Sequence, residues 1–326
     1  MTASRAFTRR AALAALGGLA AAPLAAAAAP GLSILAAPST ASILIARAVE
    51  SAALATAGAS FAVWRSPDQL RAALVSGEAT AVSLPTNVAA NLDSRGLKLK
   101  LVSVISAGHM HVLSVDPAVN RLADLKGKHV QLYFRNDMPD VSLRWLLKTA
   151  GLVPDQDVTL DYAGSATEAT QLVLAGRAST VLLNEPIASA ALLAAAKAGL
   201  KLRRAFTLQS AWAEQTGSAA FLPMAGLAVT ASFADQAPDA VRALHRATAD
   251  AVAWVKAEPA AAAALAEARM GFPAAATKLA LAQGDATVIA AREARPAIEA
   301  FLSALAELSP ALIGGQLPGD GFYFEG

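Results

Sequence analysis

The sequence predicts an α/β protein of two lobes, each a mostly parallel sheet with flanking helices, and three observations carry that expectation. Over residues 124–190, apolar runs of strand length alternate with longer stretches of helical period, a pattern best satisfied by parallel strands joined through crossover helices. The same succession occurs 99 residues earlier without a gap: Ser66 falls on Ser165, Gly77 on Gly176, Val82 on Val181 and Leu84 on Leu183. After that unit the offset grows to 103, where GLKLK at 96–100 meets GLKLR at 199–203. Finally, 55% of the 326 residues are apolar, which is ample for two cores.

Taken from its start, the chain opens with a basic head containing Arg5, Arg9 and Arg10, an Ala/Leu/Gly run to Ala22, and small residues up to Ala29. This order reads as an export signal over 1–29, and the Arg9–Arg10 pair resembles a twin-arginine signal, although Ala12 departs from that motif; a general secretory signal is the alternative. Amino-terminal sequencing of the exported protein is expected to find the cut between Ala25 and Gly31, and an intact Met1 in that fraction refutes the signal. Three of the 27 basic residues lie in this segment and no acid does, leaving 24 against 25 acids. A remainder so nearly neutral has no basic stripe for nucleic acid or an anionic membrane. It also has no charge-free and proline-free apolar run long enough to span a membrane. With no cysteine in the chain, disulfides and thiolate metal sites are excluded.

Residues 32–37 read as a strand, and PSTAS at 38–42 leads into a helix whose free N–H groups suit Ser39, Thr40 and Ser42 as caps or a ligand as acceptor. Ser66 and Pro67 start the next helix and Gly77 ends it, after which residues 80–84 form a strand running into Pro85, Thr86 and Asn87. A strand over 97–106 leads through AGHMHV, where His109 and His111 share a face. That pair lacks a third ligand, so hydrogen bonding at a crossover is favoured over a metal. The second unit has strands over 129–134, 158–162 and 179–183, helices over 141–150 and 167–175, and a third helix opened by Pro186. Beyond it, 226–230 reads as a strand, everything from Pro238 as helical, and the Gly/Pro-rich tail from Ile313 as a surface segment. By the offset, Pro38 to Ser42 corresponds to Asp137 to Val141, and Pro85-Thr86-Asn87 to Asn184-Glu185-Pro186. All four loops follow parallel strands, where open α/β sheets place ligands.

These residues resemble the substrate-binding proteins of ABC importers, in particular the nitrate/sulfonate/taurine and thiamine-pyrimidine (NMT1-like) type. The resemblance rests on DLKGK at 124–128, LLKTAGLVPDQDVTLDY, EATQLVLAGRASTVLL, Glu185-Pro186, SLPTNVAANL, and the run from PMAGLAVTASF to VKAEP. It spans nearly all of the chain beyond the signal. It implies a periplasmic-binding-protein type II fold with two crossover strands, residues 30–112 and 207–326 forming lobe one and 113–206 lobe two. Carried over by position, ligand contacts fall on Ser39, Thr40, Ser42, Thr86 and Asn87 of lobe one, and on Arg135, Asn136, Asp137, Met138, Asn184 and Glu185 of lobe two. His109, Trp212 and Met224 line the cleft near the crossovers. The resemblance implies a periplasmic, monomeric protein without chemistry of its own, which closes over a small molecule and presents it to a transporter permease. No cofactor, metal, nucleic acid or membrane insertion is expected. A periplasmic sensor module and a pyrimidine-synthase-like enzyme are the alternatives, and the second finds no nucleophile or metal constellation in the sequence. Asp137, Asp140 and Glu185, offset only by Arg135, point to a neutral polar or cationic ligand rather than an oxyanion.

Overall fold

The computed structural model describes residues 31–219, 221–284 and 286–325; the expected signal at 1–29 lies outside them. Eleven strands are present among the described residues. They are β1 (Ser33–Ala36), β2 (Ser60–Val63), β3 (Ala81–Pro85), β4 (Leu99–Ser106), β5 (Met110–Ser114), β6 (His129–Tyr133), β7 (Thr159–Ala163), β8 (Thr180–Asn184), β9 (Arg203–Thr207), β10 (Ala225–Thr230) and β11 (Ala286–Ala290). They form two sheets, ordered β2-β1-β3-β10-β4-β11 and β7-β6-β8-β5-β9. The first five strands of one sheet match the other strand for strand, so the sequence repeat is a structural repeat.

Local chemistry repeats with it. Ser66 caps the helix Pro67–Ser76 by accepting from Gln69 N, and Ser165 caps the helix Ala166–Leu174 by accepting from Glu168 N. Gly77 and Gly176 follow with φ of 75° and 69°, the left-handed turn that glycine alone adopts without a Cβ penalty. Pairing is parallel within β1–β3 and within β6–β8. The strands added outside those units, β10, β4 and β11 in one lobe and β5 and β9 in the other, pair antiparallel. The two-lobed α/β class holds, and each sheet is mixed rather than mostly parallel.

The chain changes sheet earlier and returns later than the boundaries at 112 and 207 expected from the sequence. Met110, His111 and Val112 already pair with β8 of the second sheet, so the first crossover falls at 107–109. Helix Leu208–Thr216 packs on β5 and β9, so the return comes after it, with Leu222 N donating to the Ala107 carbonyl at 2.9 Å beside the first crossover. The helix of the second unit starts at Met138, three residues before the expected position, because Asp137 caps it and Pro139 fits its first turn. The tail is a surface segment only over 314–321: Phe322, Tyr323 and Phe324 are buried, and Phe324 N donates to the Leu101 carbonyl at 2.9 Å on β4. Three aromatic side chains outweigh the Gly/Pro spacing around them. No helix among the described residues is long and apolar enough to cross a membrane.

Candidate functional site

The carboxyl ends of the parallel strands of both sheets face one cavity of about 570 Å³. The first lobe supplies Pro38 and Ser39 after β1, Trp64 and Arg65 after β2, Leu84 and Pro85 at the end of β3, and Met224 and Ala225 at the start of β10. The second lobe supplies Tyr133 at the end of β6, Phe134, Asp137 and Met138 after it, Asn184 at the end of β8 and Met110 at the start of β5, while His109 comes from the crossover. One wall continues along the helices Ala166–Leu174 and Ile187–Lys197, and Gly271, Phe272 and Pro273 of the first lobe complete it. Most of these side chains are aromatic or aliphatic, with a few polar groups among them, as is usual for a site that encloses an organic ligand.

Hydrogen bonds tie the two rims together. Tyr133 OH donates to Asn184 Oδ1 at 2.7 Å, and Asn184 Nδ2 reaches across the cleft to the Pro38 carbonyl at 3.3 Å. Thr40 N donates to the Glu185 carbonyl at 3.3 Å, a second bond between lobes. Burial, then the nearby Asp137 carboxylate, holds the Tyr133 hydroxyl well above the usual tyrosine range. Asp137 caps its helix through Met138 N at 2.8 Å. Burial pushes its carboxyl up, against the opposing pull of that N–H and of Arg71. His109 Nδ1 lies 3.2 Å from Ser106 Oγ, which orients the ring at the crossover.

Six of the expected contact residues line this cavity: Ser39, His109, Asp137, Met138, Asn184 and Met224. The others do not line it. Ser42 Oγ lies 3.1 Å from Ser83 Oγ, and Thr86 Oγ1 donates to the Pro223 carbonyl at 2.6 Å, so both hydroxyls hold lobe one together. Thr40 contributes its backbone bond, and Asn87 is buried in the helix Thr86–Leu92. Arg135 and Asn136 are exposed; the Arg135 guanidinium stands over the Tyr162 ring at 5.1 Å, and Asn136 N donates to Asp140 Oδ2 at 2.8 Å. Trp212 packs against Trp145 at 4.9 Å and Phe301 at 6.0 Å between ring centroids, behind the cleft.

The charge expected in lobe two is mostly neutralised within the protein. Glu185 is fully buried and accepts from Arg204 on β9 and from Ser189 N at 3.0 Å, with His111 Nε2 at 3.6 Å. Asp140, equally buried, accepts from Arg144 Nε at 2.7 Å and Tyr162 OH at 2.8 Å besides Asn136 N. Of the three acids, Asp137 alone lines the cavity. Sequence reading missed the aromatic wall. Trp64 stands just before the Ser66 cap, at the carboxyl end of a parallel strand, and that position was the available signal. Nothing comparable marks the distant loop 271–273. No group of three or more His, Cys, Asp or Glu suited to a metal occurs among the described residues.

Against this geometry, the model of the NMT1-like family matches residues 46–270. The chain belongs to the NMT1-like family. No curated protein is significantly similar in sequence. Among solved structures, an ABC transporter protein from Parabacteroides distasonis superposes with a TM-score of 0.75 at 24% identity, covering 90% of this chain and 98% of its own. The periplasmic aliphatic sulphonate binding protein SsuA from Escherichia coli gives 0.66 at 17% identity, covering 86% of this chain and 93% of its own. The alkanesulfonate-binding protein SsuA from Xanthomonas axonopodis pv. citri, bound to MOPS, gives 0.64 at 19%, covering 88% and 94%. These neighbours share the two-lobed fold described above, and the two SsuA proteins are sulfonate-binding proteins.

Proposed function

We propose that this protein is the exported solute-binding component of an ABC importer, which closes over one small molecule by hinge motion and presents the closed form to a permease. The observation that carries the reading is the cavity itself, whose lining is divided between two lobes joined through crossovers at 107–109 and 217–224. A ligand in such a place completes its contacts only when the lobes are together, so binding shifts the hinge population. On this reading Ser39, His109, Asp137, Met138, Asn184 and Met224 contact the ligand, the protein works as a periplasmic monomer, and it performs no chemistry. The neighbours named above, two of them sulfonate-binding proteins, support the carrier role.

Native mass spectrometry of the freshly exported protein is expected to find a co-purified solute. With that solute at saturation, small-angle scattering is expected to give a smaller radius of gyration than after its removal by partial unfolding and refolding. An unchanged radius refutes hinge closure.

A further inference from the structure

The cavity is longer than a compact solute requires. Along the helix Ala166–Leu174 it touches Ala166, Thr167, Thr170, Gln171 and Leu174, and along Ile187–Lys197 it touches Ile187, Ala190 and Ala194. These positions recur at helical spacing, so each set lies on one face. At 1.5 Å per residue the first set spans about 12 Å. The alanines at 190 and 194 keep that groove open, and Phe272 of the other lobe lies against it. At about 570 Å³, the space falls in the range of roughly 300–1,000 Å³ that encloses whole organic ligands.

The other end of the cavity is poorly suited to a free oxyanion. Small anions are held by open N–H groups at helix starts, and several of those near this cleft are already accepted by the protein. Met138 N is taken by Asp137, Glu168 N by Ser165, Gly164 N by Glu168, and Ser189 N by Glu185. The cation lining the cavity, Arg65, is exposed. Asp137 offers its second carboxylate oxygen, which accepts no hydrogen bond among the described residues, and Ser39 stands on the opposite rim.

Resting on the carrier reading above, we propose that the ligand is an elongated organic molecule with a hydrogen-bond-donating head, neutral or amine-bearing, at Asp137 and Ser39, and an apolar tail in the groove between the helices Ala166–Leu174 and Ile187–Lys197. The tail supplies most of the burial, and the head fixes direction. Short oxyanions bind weakly because they fill neither end.

N-phenyl-1-naphthylamine, an elongated aromatic amine whose fluorescence rises on burial, tests this on the mature protein after removal of any co-purified solute. Saturable binding is expected, with 4-butylaniline displacing the probe at roughly tenfold lower concentration than aniline or better, the scale of several buried methylenes. Ala190→Phe and Ala194→Phe are each expected to weaken the probe by about tenfold or more, while Val75→Phe, on an exposed helix face remote from the cavity lining, leaves it unchanged. Equal potency of aniline and 4-butylaniline on the wild-type protein overturns the inference without relying on any variant. Absence of saturable binding, probe affinity unaltered in both alanine variants, or displacement by taurine where 4-butylaniline fails does the same. A co-purified short oxyanion together with ligand-driven closure would sink the elongated-ligand inference and leave the carrier reading standing. Failure of closure with every solute would sink the carrier reading.

Discussion

Glu185→Gln is expected to lower folding stability by about 3–5 kcal/mol, because it leaves the Arg204 guanidinium partly buried without its charge partner. Glu185 is completely enclosed; its two oxygens face Arg204 and Ser189 N, and neither faces the cavity. Denaturant unfolding of wild type, Glu185→Leu, Arg204→Met and the double variant Glu185→Leu/Arg204→Met measures the coupling, with Glu185→Gln as the isosteric single variant. The double variant should recover most of the loss, since replacing a buried pair with apolar side chains of similar volume is often neutral. A direct ligand role would instead produce a loss of affinity with stability intact, and that result would return Glu185 to the cleft.

Trp212→Ala is the second large effect, expected to cost about 3–5 kcal/mol through loss of buried aromatic surface and the cavity left behind. The ring packs at a tilt of 36° against Trp145 from the helix Met138–Thr149 and edge-on to Phe301 from the helix Ala291–Leu308. Trp145 Nε1 in turn donates to Glu307 Oε2 at 2.9 Å. This cluster joins the second lobe to the first on the side away from the cavity. Trp212→Phe should retain most of the stability, and thermal unfolding of the three proteins separates the cases. A Trp212→Ala protein as stable as wild type would show that the cluster contributes nothing to the junction.

The repeat made the fold readable from the sequence. Serine before a helix, glycine after it and an apolar strand next are local signals, and two gapless copies fixed the equivalent loops. The strands that pair antiparallel were harder, because β5 and β9 carry no mark of which sheet they join. The displaced boundaries at 112 and 207 follow from that. At the site, Asp137 and Asn184 were legible as residues just beyond parallel strands. Ser42, Thr86 and Glu185 have the same chemistry at equivalent positions, yet their partners are Ser83, Pro223 and Arg204, remote in sequence and without a local pattern. Residue type told which groups need a partner; the fold decides whether that partner is the protein or a ligand.

The two bonds across the cleft, from Thr40 N to Glu185 and from Asn184 to Pro38, use backbone carbonyls and involve no cargo. Each is worth about 0.5–1.5 kcal/mol net, so together they bias the hinge by roughly one to two orders of magnitude before any solute arrives. Such a bias multiplies the affinity for every cargo by one common factor. Binding strength and discrimination are therefore tuned at separate places in this molecule: the rim sets overall gain, and the walls set choice.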